Sequence, residues 1–252
     1  MLRLQIMLML IISLVMTSCG HKENSTLIIA GASSTEFVME ELIQEFKGQT
    51  GVNCKLITGS SGKLSSQIKE QAPYDMFVSA DMEYPTYLFD LGLTTEKPIH
   101  FANGRLVLWT LNDSLVPVID VLESNQVKAI AISNPKHAPY GKAAFQSLNY
   151  YKKNNDTILK KLIWPENVSQ VNHFVYSGST DIGFTSKSSV LSPKLMGKGK
   201  WADIDPKSHQ PIKQSLVVIK NTINIAAANR FKEFIVSEKA KAILNKFGYI
   251  TF

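Results

Sequence analysis

The chain has 252 residues, of which 44% are apolar and 19% are charged, and its formal net charge is +6. This composition is typical of a soluble globular protein, and it excludes a disordered chain, a collagen-like chain and a polytopic membrane protein. Two cysteines are too few for a disulfide framework or for a zinc cluster built on cysteine. The lysines are scattered among acidic residues, which indicates a solvated surface rather than a nucleic-acid interface.

The N-terminal segment has the pattern of an export signal. One basic residue, Arg3, precedes an apolar run at residues 4–16, which is too short to cross a bilayer as a helix. A basic start followed by an apolar core and small residues is typical of a secretory signal peptide. We therefore expect residues 1–18 to be a signal peptide of the lipoprotein type, and residues 19–25 to form a polar tether.

The two cysteines are expected to have different roles. Residues 17–20, Thr-Ser-Cys-Gly, resemble the lipobox of bacterial lipoproteins, although Met16 stands where that motif usually has leucine. The resemblance implies that Cys19 carries the lipid and becomes the first mature residue; an ordinary signal peptide with a chance cysteine is the alternative. Cys54 lies in a stretch that alternates between apolar and polar residues, which predicts a small packing residue rather than a nucleophile.

Strand-like and helix-like segments alternate along the rest of the chain, which is typical of an α/β protein. Apolar runs predict strands at residues 27–30, 52–57, 76–78, 106–111, 129–132, 181–185 and 216–219. Amphipathic spacing predicts helices at residues 34–47, 64–73, 81–91, 141–153, 157–162, 168–177, 226–236 and 238–247. The first three strands are separated by helices, so we expect them to be parallel and joined by right-handed crossovers.

The length of the chain suits one large domain or two lobes of about 100–130 residues each. No linker rich in proline, glycine or serine follows the tether, so two lobes would be joined by short strand-like crossings. We expect these crossings near residues 106–111 and 215–219. This assigns residues 26–106 and 216–252 to lobe 1, and residues 107–215 to lobe 2.

Several predicted helices begin with turns that are rich in hydrogen-bond donors. Ser33 and Glu36 have the spacing of a capping box, residues 59–62 read Gly-Ser-Ser-Gly, residues 134–141 precede another helix, and Asn167 is the predicted cap of a fourth. Serine at any one start can simply be the cap that helices prefer. However, each helix start leaves unpaired N–H groups and a partial positive charge. Where several starts meet at one edge of a sheet, they can bind an anion without arginine.

Taken together and in order, these motifs resemble the molybdate-binding proteins of bacterial ABC transporters. The resemblance is carried by residues 30–35 (AGASST), 59–64 (GSSGKL), 72–81 (APYDMFVSAD), 134–141 (NPKHAPYG) and 246–249 (KFGY). It implies an α/β, two-lobed Venus-flytrap fold, in which each lobe is a mostly parallel sheet flanked by helices and the ligand lies in the cleft between them. It also implies capture of molybdate or tungstate outside the cytoplasm, and delivery to a permease and its ATPase.

The resemblance further implies an oxyanion site of hydroxyl and backbone donors, with no cofactor and no direct metal ligand. Carried over by motif, the serine hydroxyls and backbone N–H groups that bind the anion belong to Ser33, Ser61, Tyr140 and Val168. Ser186 stands where many members of the family have a tyrosine hydroxyl. Because serine is shorter, the fifth contact is left open between Ser186 and Lys187.

A site made only of donors favours an unprotonated dianion. Phosphate near neutral pH keeps a proton, and that proton needs an acceptor in the site. Of the acids near these turns, Glu36 is engaged by the predicted cap and Glu166 precedes its helix. Asp81, which follows the third predicted strand, is the exception, and it is predicted to cap its own helix. Sulfate would pass the same filter, so discrimination between molybdate and sulfate must come from the size of the cavity.

The sequence offers little to support an enzyme. The five histidines have no metal-ligand spacing, and no nucleophile elbow, Walker motif or dinucleotide glycine pattern occurs. The alternative function is a receptor for sulfate or an organic anion with the same fold, although three arginines in the whole chain argue against bidentate carboxylate recognition. We therefore expect a monomeric lipoprotein, in the periplasm or on the outer cell surface, attached to the membrane only through Cys19 and without a nucleic-acid partner.

Overall fold

The computed structural model describes residues 26–252. The predicted signal peptide, the tether and Cys19 lie outside the described residues. The strands are β1 (Leu27–Ala32), β2 (Cys54–Gly59), β3 (Met76–Ser79), β4 (Ile99–Gly104), β5 (Leu106–Thr110), β6 (Ile130–Ile132), β7 (Leu162–Ile163), β8 (Ile182–Ser186), β9 (Lys200–Asp203) and β10 (Ile212–Val218).

Nine α-helices and three short 3-10 turns connect the strands within these residues. The helices are α1 (Glu36–Thr50), α2 (Ser61–Lys69), α3 (Glu83–Asp90), α4 (Pro139–Tyr150), α5 (Asp156–Leu159), α6 (Val168–Tyr176), α7 (Lys187–Val190), α8 (Ile225–Ile235) and α9 (Glu238–Lys246). The 3-10 turns are Ser33–Thr35, Ile119–Glu123 and Pro206–Ser208. All the predicted helices are present, with ends that differ by a few residues, but the segment predicted as a helix at residues 157–162 ends in strand β7.

The strands form two sheets of five strands each, in the orders β2-β1-β3-β10-β4 and β7-β6-β8-β5-β9. We call the first sheet and its helices lobe 1, and the second sheet and its helices lobe 2. Strand β1 pairs in parallel with β2 and β3, which confirms the parallel strands predicted for the first two βαβ units. Strand β10 pairs antiparallel with β3 and β4, and β5 pairs antiparallel with β8 and β9, so each sheet is mixed.

Two connections join the lobes. Strand β4 ends at Gly104 and β5 begins at Leu106, so the first crossing is the single residue Arg105. The chain returns through residues 204–211, between β9 and β10, which is earlier than the expected crossing near residues 215–219. The two crossings are tied together, because Arg105 Nη2 lies 3.2 Å from a carboxylate oxygen of Asp203 at the end of β9.

Each lobe has its own apolar core. The predicted apolar face of α1, including Met39, Leu42 and Phe46, is buried against the first sheet, as its spacing predicts. Cys54 is half-buried beside this core, and burial raises the pKa of its thiol to about 12, which suits a packing residue and not a nucleophile. No helix within residues 26–252 is long and apolar enough to span a membrane.

Candidate anion-binding site

Four helix starts meet at one small cavity of about 10 Å³ between the lobes. Ser33 opens the 3-10 turn after β1, and Ser61 is the first residue of α2, so both come from lobe 1. Tyr140 and Val168 are the second residue of α4 and the first residue of α6, so both come from lobe 2. All four line the cavity. Because these residues lie at helix starts, their backbone N–H groups have no partners within the helices. The positive ends of the helix dipoles also point toward the cavity.

Ser33 and Glu36 do not form the predicted capping box. The helix starts at Ser33–Thr35 and α1 have no side-chain cap, and both side chains instead reach across to lobe 2. Ser33 Oγ accepts a hydrogen bond from the backbone N–H of Val168 at 3.1 Å, and Glu36 Oε2 accepts one from the Ser169 hydroxyl at 2.5 Å. The capping prediction is wrong because these groups are used between lobes rather than within the helix.

The second serine turn is also left without a side-chain cap. Ser60 is the N-cap residue of α2 but its hydroxyl makes no capping bond, and Ser61 Oγ accepts a hydrogen bond from Ala80 N–H at 3.2 Å. By contrast, Asn167 caps α6 as predicted, since its side-chain oxygen accepts from Gln170 N–H at 3.0 Å. The serine hydroxyls at the cavity therefore do not cap the helices on which they lie, whereas the Asn167 side chain caps α6 in the usual way.

Two further serines, which the sequence motifs did not identify as ligands, also line the cavity. The residues Ser34 and Ser60 are 3% and 2% exposed, and within residues 26–252 neither hydroxyl oxygen has a hydrogen-bond partner. A buried hydroxyl without a partner costs about 1–3 kcal/mol, and native structures hold few of them. Each stands next to a predicted site serine in a Ser-Ser pair, and this pairing is the sequence feature that could have identified them.

Neither candidate for the fifth contact lines the cavity. Ser186 is fully buried behind the Ser33–Thr35 turn, where its hydroxyl caps α7 by accepting from Ser189 N–H and lies 3.3 Å from the Ser34 carbonyl oxygen. Lys187 Nζ is bound to the Asp203 carboxylate at 2.8 Å. Both side chains are thus engaged away from the cavity.

No charged side chain lines the cavity in the part of the chain that the structure describes. The nearby acids have partners: Glu166 lies 3.3 Å from Lys63 Nζ, and Asp81 Oδ1 accepts from the Ser79 hydroxyl and from Tyr84 N–H. Asp81 faces a neighbouring cavity of about 130 Å³ instead. The site therefore offers donors and no carboxylate acceptor, and residues 26–252 contain no cluster of histidine, cysteine or acidic residues that could hold a metal ion.

A larger groove of about 710 Å³ lies on the outer side of α1. It is lined mainly by apolar side chains, among them Phe37, Ile43, Leu56 and Phe247. No helix starts converge on it, so its size does not make it the better candidate for an anion.

The chain is similar to known binding proteins in both sequence and structure. The profile of the bacterial extracellular solute-binding protein family matches residues 27–250. The molybdate-binding protein ModA of Rhodobacter capsulatus is 30% identical over 228 residues, which cover 89% of this chain and 88% of the relative. The putative ABC transporter substrate-binding lipoprotein YvgL of Bacillus subtilis is 27% identical over 238 residues, covering 92% and 89%. The periplasmic molybdate-binding protein of Azotobacter vinelandii is similar in structure, with a TM-score of 0.85 and 31% identity, covering 90% of this chain and 99% of the other.

The partly buried Asp81 provides a test of the electrostatics beside the cavity. Burial raises the pKa of Asp81 from 3.8 to about 6, so its charge disfavours the folded state at neutral pH. The stability of the neutral form is fully present below pH 3.8 and is lost as the pH rises through about 6. We expect Asp81→Asn, which keeps the acceptor for Tyr84 N–H, to raise the free energy of unfolding by about 1–2 kcal/mol at pH 7 and to change it little at pH 4.

Urea unfolding at the two pH values measures this difference. Asp90→Asn is the control, because Asp90 is the last residue of α3, the helix that Asp81 precedes, and is exposed. An equal effect of both substitutions, or a larger gain at pH 4 than at pH 7, would contradict the assignment.

Proposed function

The chain belongs to the ModA molybdate-binding proteins, within the bacterial extracellular solute-binding family, and we propose that it captures molybdate or tungstate between its lobes for an ABC importer. The family that the motifs predicted is confirmed by the profile match and by the identity to the Rhodobacter protein. The two-lobed α/β fold is confirmed by the likeness to the Azotobacter structure. Proteins of this group are named for binding, which supports a function other than catalysis.

The observation that carries the proposal is the cavity lined by donors from both lobes. The Ser33 and Ser61 hydroxyls and the backbone N–H groups of Tyr140 and Val168 are the proposed ligands of the anion. Val168 N–H and Ser33 Oγ lie 3.1 Å apart, and an oxyanion oxygen inserted between them would accept from both. A cavity of about 10 Å³ holds at most about one water-sized sphere, so the lobes must part to admit a tetrahedral anion and then close on it.

The chemistry of the lining supports a dianion without protons. Hydroxyl and N–H donors can satisfy every oxygen of molybdate or tungstate, whereas the proton of hydrogen phosphate would face no carboxylate acceptor. Sulfate has the same charge and shape, so a sulfate receptor is the second candidate that this donor set favours. Molybdate and sulfate differ in size, so the size of the cavity in the closed protein decides which of them binds more tightly. Measured affinities for the two anions report this difference directly.

Closure depends on contacts between the lobes around the cavity. Gly62 N–H donates to the His137 carbonyl at 2.9 Å, and the Tyr84 hydroxyl donates to the Lys136 carbonyl at 3.0 Å. Two ion pairs also cross the cleft, Lys63 with Glu166 at 3.3 Å and Lys142 with Glu83 at 2.8 Å. These pairs are exposed, so each contributes about 1 kcal/mol or less to closure, whereas the hydrogen bond from Val168 N–H to Ser33 Oγ, which also joins the lobes, is buried.

The location of the protein is part of the proposal. Lipidation of Cys19 would attach the protein to the membrane on the outer side of the cytoplasmic membrane. We propose that it acts there as a monomer and that its partners are a permease and an ATPase. The Bacillus relative carries a lipoprotein name, which supports this anchor. Palmitate labelling of the expressed chain, compared with Cys19→Ala, tests it.

The first expected result is selective binding of the heavier oxyanions. Titration calorimetry with molybdate, tungstate, sulfate and phosphate should give micromolar or tighter affinity for molybdate or tungstate, weak affinity for sulfate and none for phosphate. Ser33→Ala and Ser61→Ala should each weaken molybdate binding by about 1–3 kcal/mol, because each removes a charge-assisted hydrogen bond. Tighter binding of sulfate than of molybdate would favour the second candidate, and no heat with any of the four anions would contradict the proposal.

Gly62 provides a separate test of closure. A Cβ at this position would lie 2.7 Å from the Tyr84 hydroxyl and 3.1 Å from His137 Cα in the opposite lobe. We expect Gly62→Ala to weaken molybdate binding by about tenfold, or ~1.4 kcal/mol, and to increase the radius of gyration of the molybdate-bound protein in X-ray scattering. Gly48→Ala is the control, since its Cβ would meet no atom within 4 Å. Equal affinities for the two variants would show that this contact does not limit closure.

A further inference from the structure

We infer that the Ser34 hydroxyl donates the fifth hydrogen bond to the anion, and that Ser186 and Ser188 act on the anion only by holding Ser34 in place when the lobes close. The inference rests on the proposed function, because it assigns a further ligand and a positioning device to the same cavity. It also gives Ser186, which stands at the family's tyrosine position, a role that differs from direct contact.

The hydroxyl of Ser34 is available to a ligand. Ser34 lines the cavity and is 3% exposed, and within residues 26–252 its hydroxyl oxygen has no hydrogen-bond partner. Both alternatives for the fifth contact are committed elsewhere, Ser186 to the start of α7 and Lys187 to Asp203. A buried donor without a partner, beside four other donors, is best satisfied by an oxygen of the bound anion.

The backbone carbonyl of Ser34 is held by three hydroxyl groups. Ser188 Oγ lies 2.8 Å from the carbonyl oxygen, and Ser186 Oγ and the Tyr249 hydroxyl each lie 3.3 Å from it. Burial raises the pKa of Tyr249, so its hydroxyl remains a donor over the physiological range. These bonds restrain the peptide plane of Ser34 and its Cα, and so restrain the position of the Cα–Cβ bond from which the hydroxyl extends.

Two of these three hydroxyls come from the opposite lobe. Ser186 ends β8 and Ser188 lies in α7, both in lobe 2, whereas Ser34 and Tyr249 belong to lobe 1. Ser188 Oγ also lies 3.0 Å from Ser186 Oγ, and Ser186 caps α7, so the pair moves as one unit with lobe 2. Closure therefore brings the pair onto the Ser34 carbonyl, so the backbone that carries the Ser34 hydroxyl is held in place when the lobes are closed.

The role of Ser34 is tested by removing its hydroxyl. Ser34→Ala should weaken molybdate binding in calorimetry by about 10- to 100-fold. Ser65→Ala is the matched control, because Ser65 is equally buried, its hydroxyl also lacks a partner within residues 26–252, and it does not line the cavity. Wild-type affinity in Ser34→Ala, or an equal loss in Ser65→Ala, would overturn the assignment.

The positioning role of Ser188 is tested by kinetics and by a double variant. Ser188→Ala should speed molybdate dissociation several-fold in stopped-flow tryptophan fluorescence, without lowering the thermal midpoint of the ligand-free protein below that of Ser192→Ala. Ser192 is the control because it is fully buried and its hydroxyl bonds the Ser189 carbonyl inside lobe 2. If Ser188 acts through Ser34, the double variant Ser34→Ala/Ser188→Ala should bind no more weakly than Ser34→Ala alone.

The outcomes separate this inference from the proposed function. Additive losses in the double variant, or equal dissociation rates for Ser188→Ala and Ser192→Ala, would overturn the coupling while leaving molybdate binding intact. Failure of the unsubstituted protein to bind molybdate, tungstate or sulfate would overturn the proposed function, and this inference with it.

Discussion

Buried donors that have no acceptor within their own lobe are the constraint on which the rest of the structure depends. The starts of α2, α4 and α6 and the 3-10 turn at Ser33–Thr35 all meet at the same small cavity. Their N–H and hydroxyl groups cannot be satisfied by the helices that carry them. Each lobe therefore finds partners in the other, as the bond from Val168 N–H to Ser33 Oγ shows, and the same demand makes the space suitable for an oxyanion.

Formal charge is kept at the rim of the cleft, and the cavity itself is neutral. Lys63 and Lys142 are paired with acids of the opposite lobe, and the lining consists of small uncharged residues and Tyr140. A cation in the cavity would attract any anion, whereas fixed dipoles and hydroxyls hold one of matching size and shape. The net charge of +6 acts at longer range, where it favours the approach of anions.

Sequence patterns predicted the parts of the fold in which local and global preferences agree. The apolar face of α1 and the parallel strands β1, β2 and β3 follow from periodicity alone. Strands β4 and β9 were missed, because they are edge strands with polar residues such as His100 and Lys200, and edge strands need little apolar surface. The return crossing was placed too late because the apolar run of residues 216–219 marks only the end of β10.

The candidate site was predicted from motifs as far as which turns converge, but not which hydroxyl serves which purpose. The spacing of Ser33 and Glu36 predicts a capping box, yet the Ser33 hydroxyl accepts a hydrogen bond from Val168, a residue 135 positions away. Ser34 and Ser60 were not identified, since sequence spacing cannot distinguish a serine that caps a helix from its neighbour that points into a cavity. Only the relative placement of the two lobes makes this distinction.

The unequal lengths of the two crossings have a mechanical consequence. One connection is the single residue Arg105, the other runs through residues 204–211, and the bridge from Arg105 to Asp203 fastens them at one point. Such a joint resists sliding and stretching but permits swinging about the short connection. We therefore expect the two lobes to open by rotation about this hinge and to close in the same relative position each time. Donors that are far apart in the chain would then return to the same positions around the cavity.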